Sequence, residues 1–228
     1  LLENSIDAKS TKVEIRISNN CRNIRIADNG IGIHPDDLDI AFFKHTTSKI
    51  SKYDDLWDIT SFGFRGEALS SIMSISKLKC TTKIDNCDYV KVSFDENGNL
   101  IKSKTVSNRG TIFEIEDLFY NVPARLKFLK NPKTEFSYIQ EIVQQIALSN
   151  PNVSIILTND NKTALKTLGS GDLLSTISEL YSVNIADNLL EVKNKDIFTK
   201  MSLDGFFSKP TFERSSKKSI NVFVNKRP

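Results

Sequence analysis

The sequence predicts an α/β fold, and three observations carry that expectation. Two runs near the start, KVEIRI (12–17) and NIRIAD (23–28), alternate apolar and polar residues as half-buried strands do. Four more strand-like runs follow at 75–83, 89–94, 100–106 and 110–116. One segment, TEFSYIQEIVQQIAL (134–148), instead repeats its apolar residues at helical spacing, with Phe136, Ile139, Ile142, Val143, Ile146 and Ala147 on one stripe. A chain of 228 residues, 39% hydrophobic and 26% charged, can bury a proper core without disulfide or metal staples.

Taken in order, LLENSIDA (1–8) reads as the last two turns of a helix. The first two strands are joined by a turn at Asn19-Asn20. DNGIGI (28–33) then breaks the strand with two glycines, and Pro35-Asp36-Asp37 starts a helix with Leu38, Ala41 and Phe42 on one face. HTTSKISKYDD (45–55) is polar and aperiodic, a loop. GFRGEALSSIM (63–73) is a loop opening into a helix. Asn150-Pro151 ends the long helix and is the expected domain boundary, dividing the chain into 1–149 and 150–228. The second unit reads as a strand VSIILT, a turn at Asn159 to Asn161, a helix over 172–181 and strands near 189–193, 203–208 and 220–225. Its last strand meets the end of the chain, so this unit is expected to be truncated.

Composition narrows the function classes. A net charge of +3 excludes a strongly basic nucleic-acid arm, so any DNA contact must come from local clusters. No apolar run approaches the roughly 20 residues of a membrane span. Cys21, Cys80 and Cys87 have no metal-ligand or redox spacing; Cys80 and Cys87 could pair across a hairpin, or all three are reduced thiols. His34 and His45 lack any paired ligand or nucleophile spacing, and neither is given a catalytic role.

Four segments carry chemistry. Asn4 sits on a helix, and its amide oxygen could ligate Mg²⁺, which takes one or two protein oxygens and completes its shell with phosphates and water; a helical Asn is as readily a solvated residue. In DNGIGI, Asp28 ends a strand and its carboxylate could accept from an exocyclic amine, while Gly30 and Gly32 admit a flat ligand; the same tripeptide also makes ordinary strand-to-helix turns. Thr46, Thr47, Ser48 and Lys49 could close over phosphates or form an exposed loop. In GFRGEAL, Gly63 and Gly66 flank Arg65 before a helix, whose N-terminal amides suit phosphate oxygens. No G-x-x-x-x-G-K-[ST] occurs, so a nucleotide site here is not a P-loop.

The order of these segments, closed by Gly110-Thr111 at a strand start, resembles the GHKL ATPase superfamily of topoisomerase ATPase domains, a heat-shock chaperone, histidine kinases and MutL. ENSIDA, DNGIGI, HTTSKI, GFRGEAL and above all LFYNVPARLKFL (118–129), with KTEF after it, resemble the MutL mismatch-repair family. FVNKRP (223–228) is similar to that family's FVNGR-type strand, with Lys226 in place of glycine.

The resemblance implies a GHKL-type two-layer α/β sandwich, with helices on one face of a mixed, mostly antiparallel sheet, followed by a smaller α/β transducer domain. It implies slow, Mg²⁺-dependent ATP hydrolysis and ATP-dependent N-terminal dimerisation with itself or a paralogue. Residue by residue, Asn4 would hold the metal, Asp28 would read adenine, Thr111 would support the base through water, and Gly30 and Gly32 would shape its pocket. Thr47, Ser48 and Lys49 would belong to a lid, and Gly63, Phe64, Arg65, Gly66, Glu67, Ala68 and Leu69 would wrap the phosphates. The family's general base lies four residues before the metal-binding Asn, which is the position before Leu1. Glu3, about 100° round the helix from Asn4, is not its substitute. The family's γ-phosphate Lys is expected beyond Pro228. Lys127 and Arg227 match family positions associated with non-specific contact to double-stranded DNA, beside Arg125, Lys130, Lys133 and Lys226. A MutS-type mismatch-recognition protein is the implied partner. The implied location is the cytoplasm of a bacterium or the nucleus of a eukaryote. Two rivals remain at this point: another GHKL member such as a topoisomerase subunit, and a nucleotide-gated binding module whose hydrolysis is incidental.

Overall fold

A computed structural model describes residues 1–42, 68–85, 90–94, 99–105, 108–196, 201–213 and 219–227. The elements run α1 (Leu2–Asp7), β1 (Lys12–Ser18), β2 (Asn23–Asp28), α2 (Leu38–Ala41), α3 (Ala68–Met73), β3 (Lys77–Lys83), β4 (Val90–Phe94), β5 (Leu100–Lys104), β6 (Gly110–Glu116), α4 (Pro123–Phe128), α5 (Pro132–Ser149), β7 (Ser154–Asn159), β8 (Lys162–Lys166), α6 (Leu173–Leu180), α7 (Val183–Asp187), β9 (Leu189–Lys195) and β10 (Ser202–Ser208).

Eight strands form one sheet in the order β5-β4-β3-β6-β2-β1-β7-β8. Every pairing is antiparallel except β1 with β7. The register stacks apolar residues in a row across six strands: Leu157, Ile15, Ile26, Phe113, Cys80 and Val92 stand side by side. Directly paired residues share a face of the sheet, so this row is one continuous surface, and the helices cover it. Val143, Ile146 and Ala147 of α5 pack over β1 and β7. Leu38 and Phe42 at α2, with Leu69, Ile72 and Met73 of α3, pack over β3, β4 and β6. The opposite face is charged, with Lys79 paired to Glu116 at 2.8 Å and Arg25 to Glu114 at 3.8 Å. The result is a two-layer α/β sandwich: full burial of each aliphatic side chain contributes roughly 1.5–3 kcal/mol on one face, and exposed ion pairs on the other contribute little.

Several expectations change. The eight-stranded sheet continues past Asn150-Pro151: β7, read from sequence as the first strand of the second unit, pairs with β1, and β8 pairs with β7. The helix ends at Ser149, before Pro151 as expected, and the next strand returns to the same sheet. On α5, Ile142 is 56% exposed and Leu148 is buried, so the stripe is rotated towards Leu148. Strand β8 and helix α7 were not anticipated. Residues 220–225 do not extend a sheet; Val224 and Arg227 instead bracket a two-residue turn, with Asn225 and Lys226 both at positive φ. Cys21 and Cys80 are buried free thiols, while Cys87 lies outside the described residues. No helix among the described residues is long and apolar enough to cross a membrane.

Candidate functional site

The apolar rows of the sheet end in a polar one. One step along from the core row stand Ile155, Val13, Asp28, Thr111, Thr82 and Val90, with Asp28 paired to Val13 and Thr111 to Thr82. Alternation places all six on the helix-facing side. Three consecutive polar side chains thus occupy positions where the strand pattern calls for core.

Asp28 is held by three donors. Its Oδ1 accepts from the amides of Gly30 at 2.9 Å and Thr111 at 3.2 Å, and its Oδ2 accepts from the Ser5 hydroxyl at 2.9 Å. A carboxylate has about four acceptor positions, so one remains on Oδ2 for a donor arriving from outside. The charge behind it is felt locally: burial, and then the Asp28 carboxylate, push the Cys80 thiol far above the ordinary thiol range.

The glycines around Asp28 are required by close approach. Gly32 has φ +79°, and a Cβ there would lie 2.3 Å from the Lys83 carbonyl oxygen. Gly110 has φ +114°, and a Cβ would lie 1.9 Å from the backbone oxygen of Asp28. Both conformations favour glycine, and together they press the 28–33 segment against β3 and β6. Gly30 sits over α1, where a Cβ would meet Ala8 and the Ser10 hydroxyl. That hydroxyl is buried with no hydrogen-bond partner among the described residues. Asn29 turns away from the pocket and closes the adjoining turn, accepting from the amides of Thr11 and Lys12.

Asn4 is half-buried on α1, next to Ser5. Among the described residues its side-chain amide makes no hydrogen bond, whereas the neighbouring Ser5 is committed to Asp28. Glu3 is exposed. Ala68 and Leu69 open α3, with Leu69 packed on the core. Thr47, Ser48, Lys49, Gly63, Phe64, Arg65, Gly66 and Glu67 lie outside the described residues. Lys127 is exposed on α4, none of whose residues is buried, beside a Phe128 that is 85% exposed. Arg227 closes the terminal turn, away from α4 in sequence and on a separate element.

The structure therefore brings Asp28, Gly30, Gly32 and Thr111 together, with α1 and Asn4 alongside. Two members were missed from sequence, Ser5 and Thr82. Each carried a signal. Thr82 continues the inward series Leu78, Cys80 as a polar residue at a core position, and Ser5 falls three residues after the buried Leu2 on one helix face.

Residues 1–118 match the family described as histidine kinase-, DNA gyrase B-, and HSP90-like ATPase, and residues 177–228 match the DNA mismatch repair protein, C-terminal domain. The chain is 42% identical over 229 residues to the DNA mismatch repair protein MutL of Staphylococcus saprophyticus, and 43% identical over 230 residues to that of Clostridium botulinum strain Kyoto. In both cases the alignment covers 100% of this chain and 34% of the relative, so the chain spans about a third of the curated relatives' length. A solved Aquifex aeolicus MutL ATPase domain complexed with ADP superposes with a TM-score of 0.69 at 30% identity, covering 93% of this chain and 75% of that one. The N-terminal domain of a DNA repair protein superposes with a TM-score of 0.82 at 30% identity, covering 100% and 73%.

Proposed function

Because the chain belongs to the MutL family of DNA mismatch-repair proteins, on a core of the histidine kinase-, DNA gyrase B- and HSP90-like ATPase type, we propose that its polar pocket binds ATP and that the protein couples this to DNA repair. One observation carries the reading: Asp28, fixed by three donors, keeps an acceptor position open at the end of an apolar surface. A purine with an exocyclic amine fits that acceptor, and a carbonyl in the same place would be repelled. Gly30 and Gly32 line the flat side, and Thr111 completes the base edge. The match to a relative solved with ADP supports the same ligand class.

The donor set also fits one divalent ion. No group of three or more His, Cys, Asp or Glu side chains among the described residues could hold a metal. On the family pattern Mg²⁺ would rest on the Asn4 amide oxygen, the triphosphate and water, the sparse protein coordination this ion accepts. When bound it would neutralise charge developing on the phosphates. Ala68 and Leu69 at the start of α3, with Gly63, Phe64, Arg65, Gly66 and Glu67 before them, are assigned to phosphate binding on the family pattern, and Thr47, Ser48 and Lys49 to the lid. Water attack on the γ-phosphate needs a base on the Asn4 face of α1, and Glu3 is on another face.

At the level of the whole protein, the reading is a nucleotide-gated dimer, with itself or a paralogue, that contacts DNA through Lys127 and Arg227 and works with a MutS-type protein, in the cytoplasm of a bacterium or the nucleus of a eukaryote. The junction between ATPase and transducer units is placed after β8, between Lys166 and Asp172, rather than at 149/150.

Isothermal titration of the 228-residue chain with a non-hydrolysable ATP analogue and magnesium is the direct test. Micromolar binding, lost on Asp28→Asn, is expected; no binding by folded protein overturns the proposal.

A further inference from the structure

We infer that Thr82 is a positioning residue for base recognition: it turns the Thr111 hydroxyl so that its proton faces the acceptor edge of a bound adenine. The inference rests on the nucleotide reading above.

The geometry is a chain of hydroxyls inside the pocket wall. Thr82 is 2% and Thr111 4% exposed. The Ile33 amide donates to Thr82 Oγ1 at 2.8 Å. Thr82 has one proton to give and two acceptors, the Gly110 carbonyl and Thr111 Oγ1, each at 3.3 Å. Both distances are long for hydroxyl donation, so neither acceptor holds the proton firmly. Two arrangements follow. If Thr82 donates to Gly110, the remaining Thr82 lone pair draws the Thr111 proton back, and Thr111 offers a ligand only lone pairs. If Thr82 donates to Thr111, the Thr111 proton is released towards the ligand. The two wall acceptors are equally distant, and an acceptor on a bound ligand tips the balance to the second arrangement, the one in which that acceptor is also satisfied.

The amide of Thr111 is already committed to Asp28, so its hydroxyl is the group left to meet the base. Adenine presents a donor at its exocyclic amine and an acceptor at ring nitrogen N1. Asp28 answers the first. Thr111, with its proton turned outward, answers the second, directly or through one water. Thr82 decides which way that proton points, and its bond to Ile33 also ties the segment after Gly32 to β3. The sequence places Thr82 in the wall for packing; its hydroxyl makes the wall directional.

The test compares ATP with 1-deaza-ATP, in which N1 is replaced by C–H, binding to the 228-residue chain by titration calorimetry with magnesium. Wild type is expected to prefer ATP. Thr82→Val should weaken ATP about tenfold and leave 1-deaza-ATP unchanged, and Thr82→Ser should restore ATP. Equal weakening of both ligands by Thr82→Val, or no weakening of either, overturns the inference while leaving nucleotide binding intact. If wild type binds neither ligand, the nucleotide reading itself fails. Should circular dichroism show Thr82→Val unfolded, Thr82→Cys, close in volume and a weak donor, is read by the same criteria.

Discussion

Asp28 accepts three hydrogen bonds from three different segments, α1, the turn after β2, and the start of β6. Replacing it removes more than a ligand contact. In Asp28→Asn the amide can keep only its carbonyl oxygen as acceptor, leaving either Ser5 or the two backbone amides facing an NH₂ group. Lost charged hydrogen bonds are worth roughly 1.5–3 kcal/mol each, so nucleotide affinity should fall at least about tenfold, with a measurable drop in urea midpoint. Ala at Gly110 would be worse, because its Cβ collides with Asp28 backbone rather than with a side chain that could move. Cys80 gives a different kind of prediction. Its folded-state thiol is held neutral by burial and by Asp28, while the unfolded thiol ionises near about 8.5. The folded state binds the extra proton above that value, so this contribution is present below about pH 8.5 and is lost as pH rises beyond it. Denaturation curves from pH 7.5 to 10 should flatten in Cys80→Ala, and a thiol reagent should modify Cys80 in denaturant but not in the native chain.

Among the elements, α5 starts where its cap dictates. Asn131 Oδ1 accepts from the Thr134 amide at 2.9 Å, and Glu135 reaches back to the Lys130 amide at 2.8 Å, with Pro132 at the first helical position. The first satisfies an amide that a helix start leaves unpaired, and the second ties the residue before the cap to the first turn. Asn131→Ala should cost about 1 kcal/mol, read as a lower urea midpoint with an unchanged slope. Helix α6 is capped the same way by Asp172, whose carboxyl is held below the usual carboxylate range by its hydrogen bonds to Ser175. That support is present above the usual carboxylate value and is lost as pH falls through the lowered one. The terminal turn is the exception to good local chemistry. Lys226 adopts φ +66° where the family pattern has glycine, a conformation that costs a side-chain-bearing residue roughly 1–2 kcal/mol. Lys226→Gly should therefore stabilise the turn, seen as slower amide exchange at Val224 and Arg227.

For the molecule as a whole, the order of the sheet matters more than the order of the chain. β1 lies between β2 and β7, so it is assembled from contacts more than a hundred residues apart in sequence. A chain ending at Ser149 would leave β1 with an open edge and strip Ile155, Leu157 and Leu165 from the core beneath α5. Such a chain should lose cooperative unfolding in calorimetry, whereas one ending at Gly171 should keep it. Within the intact chain, Leu157→Ala should cost about 2–5 kcal/mol and lower the melting of the N-terminal hairpin and α5 together.

Periodicity alone determined most of the elements, because each strand and helix carries its own local pattern of inward and outward residues. The motif order also made Asp28, Gly30, Gly32, Thr111 and Asn4 legible as candidate site residues, through the family resemblance that the order carries and not through any one residue alone. Ser5 and Thr82 stayed hidden because a hydroxyl at an inward position looks like a tolerated core substitution until its partners are known. The place of β7 stayed hidden for a related reason: a proline reports where a helix stops, and only the pairing of β7 with β1 decides which sheet the next strand joins. Local sequence sets φ, ψ and the face a side chain takes. Which faces meet is settled by long-range burial, and that meeting turned three scattered polar residues, Asp28, Thr111 and Thr82, into one row.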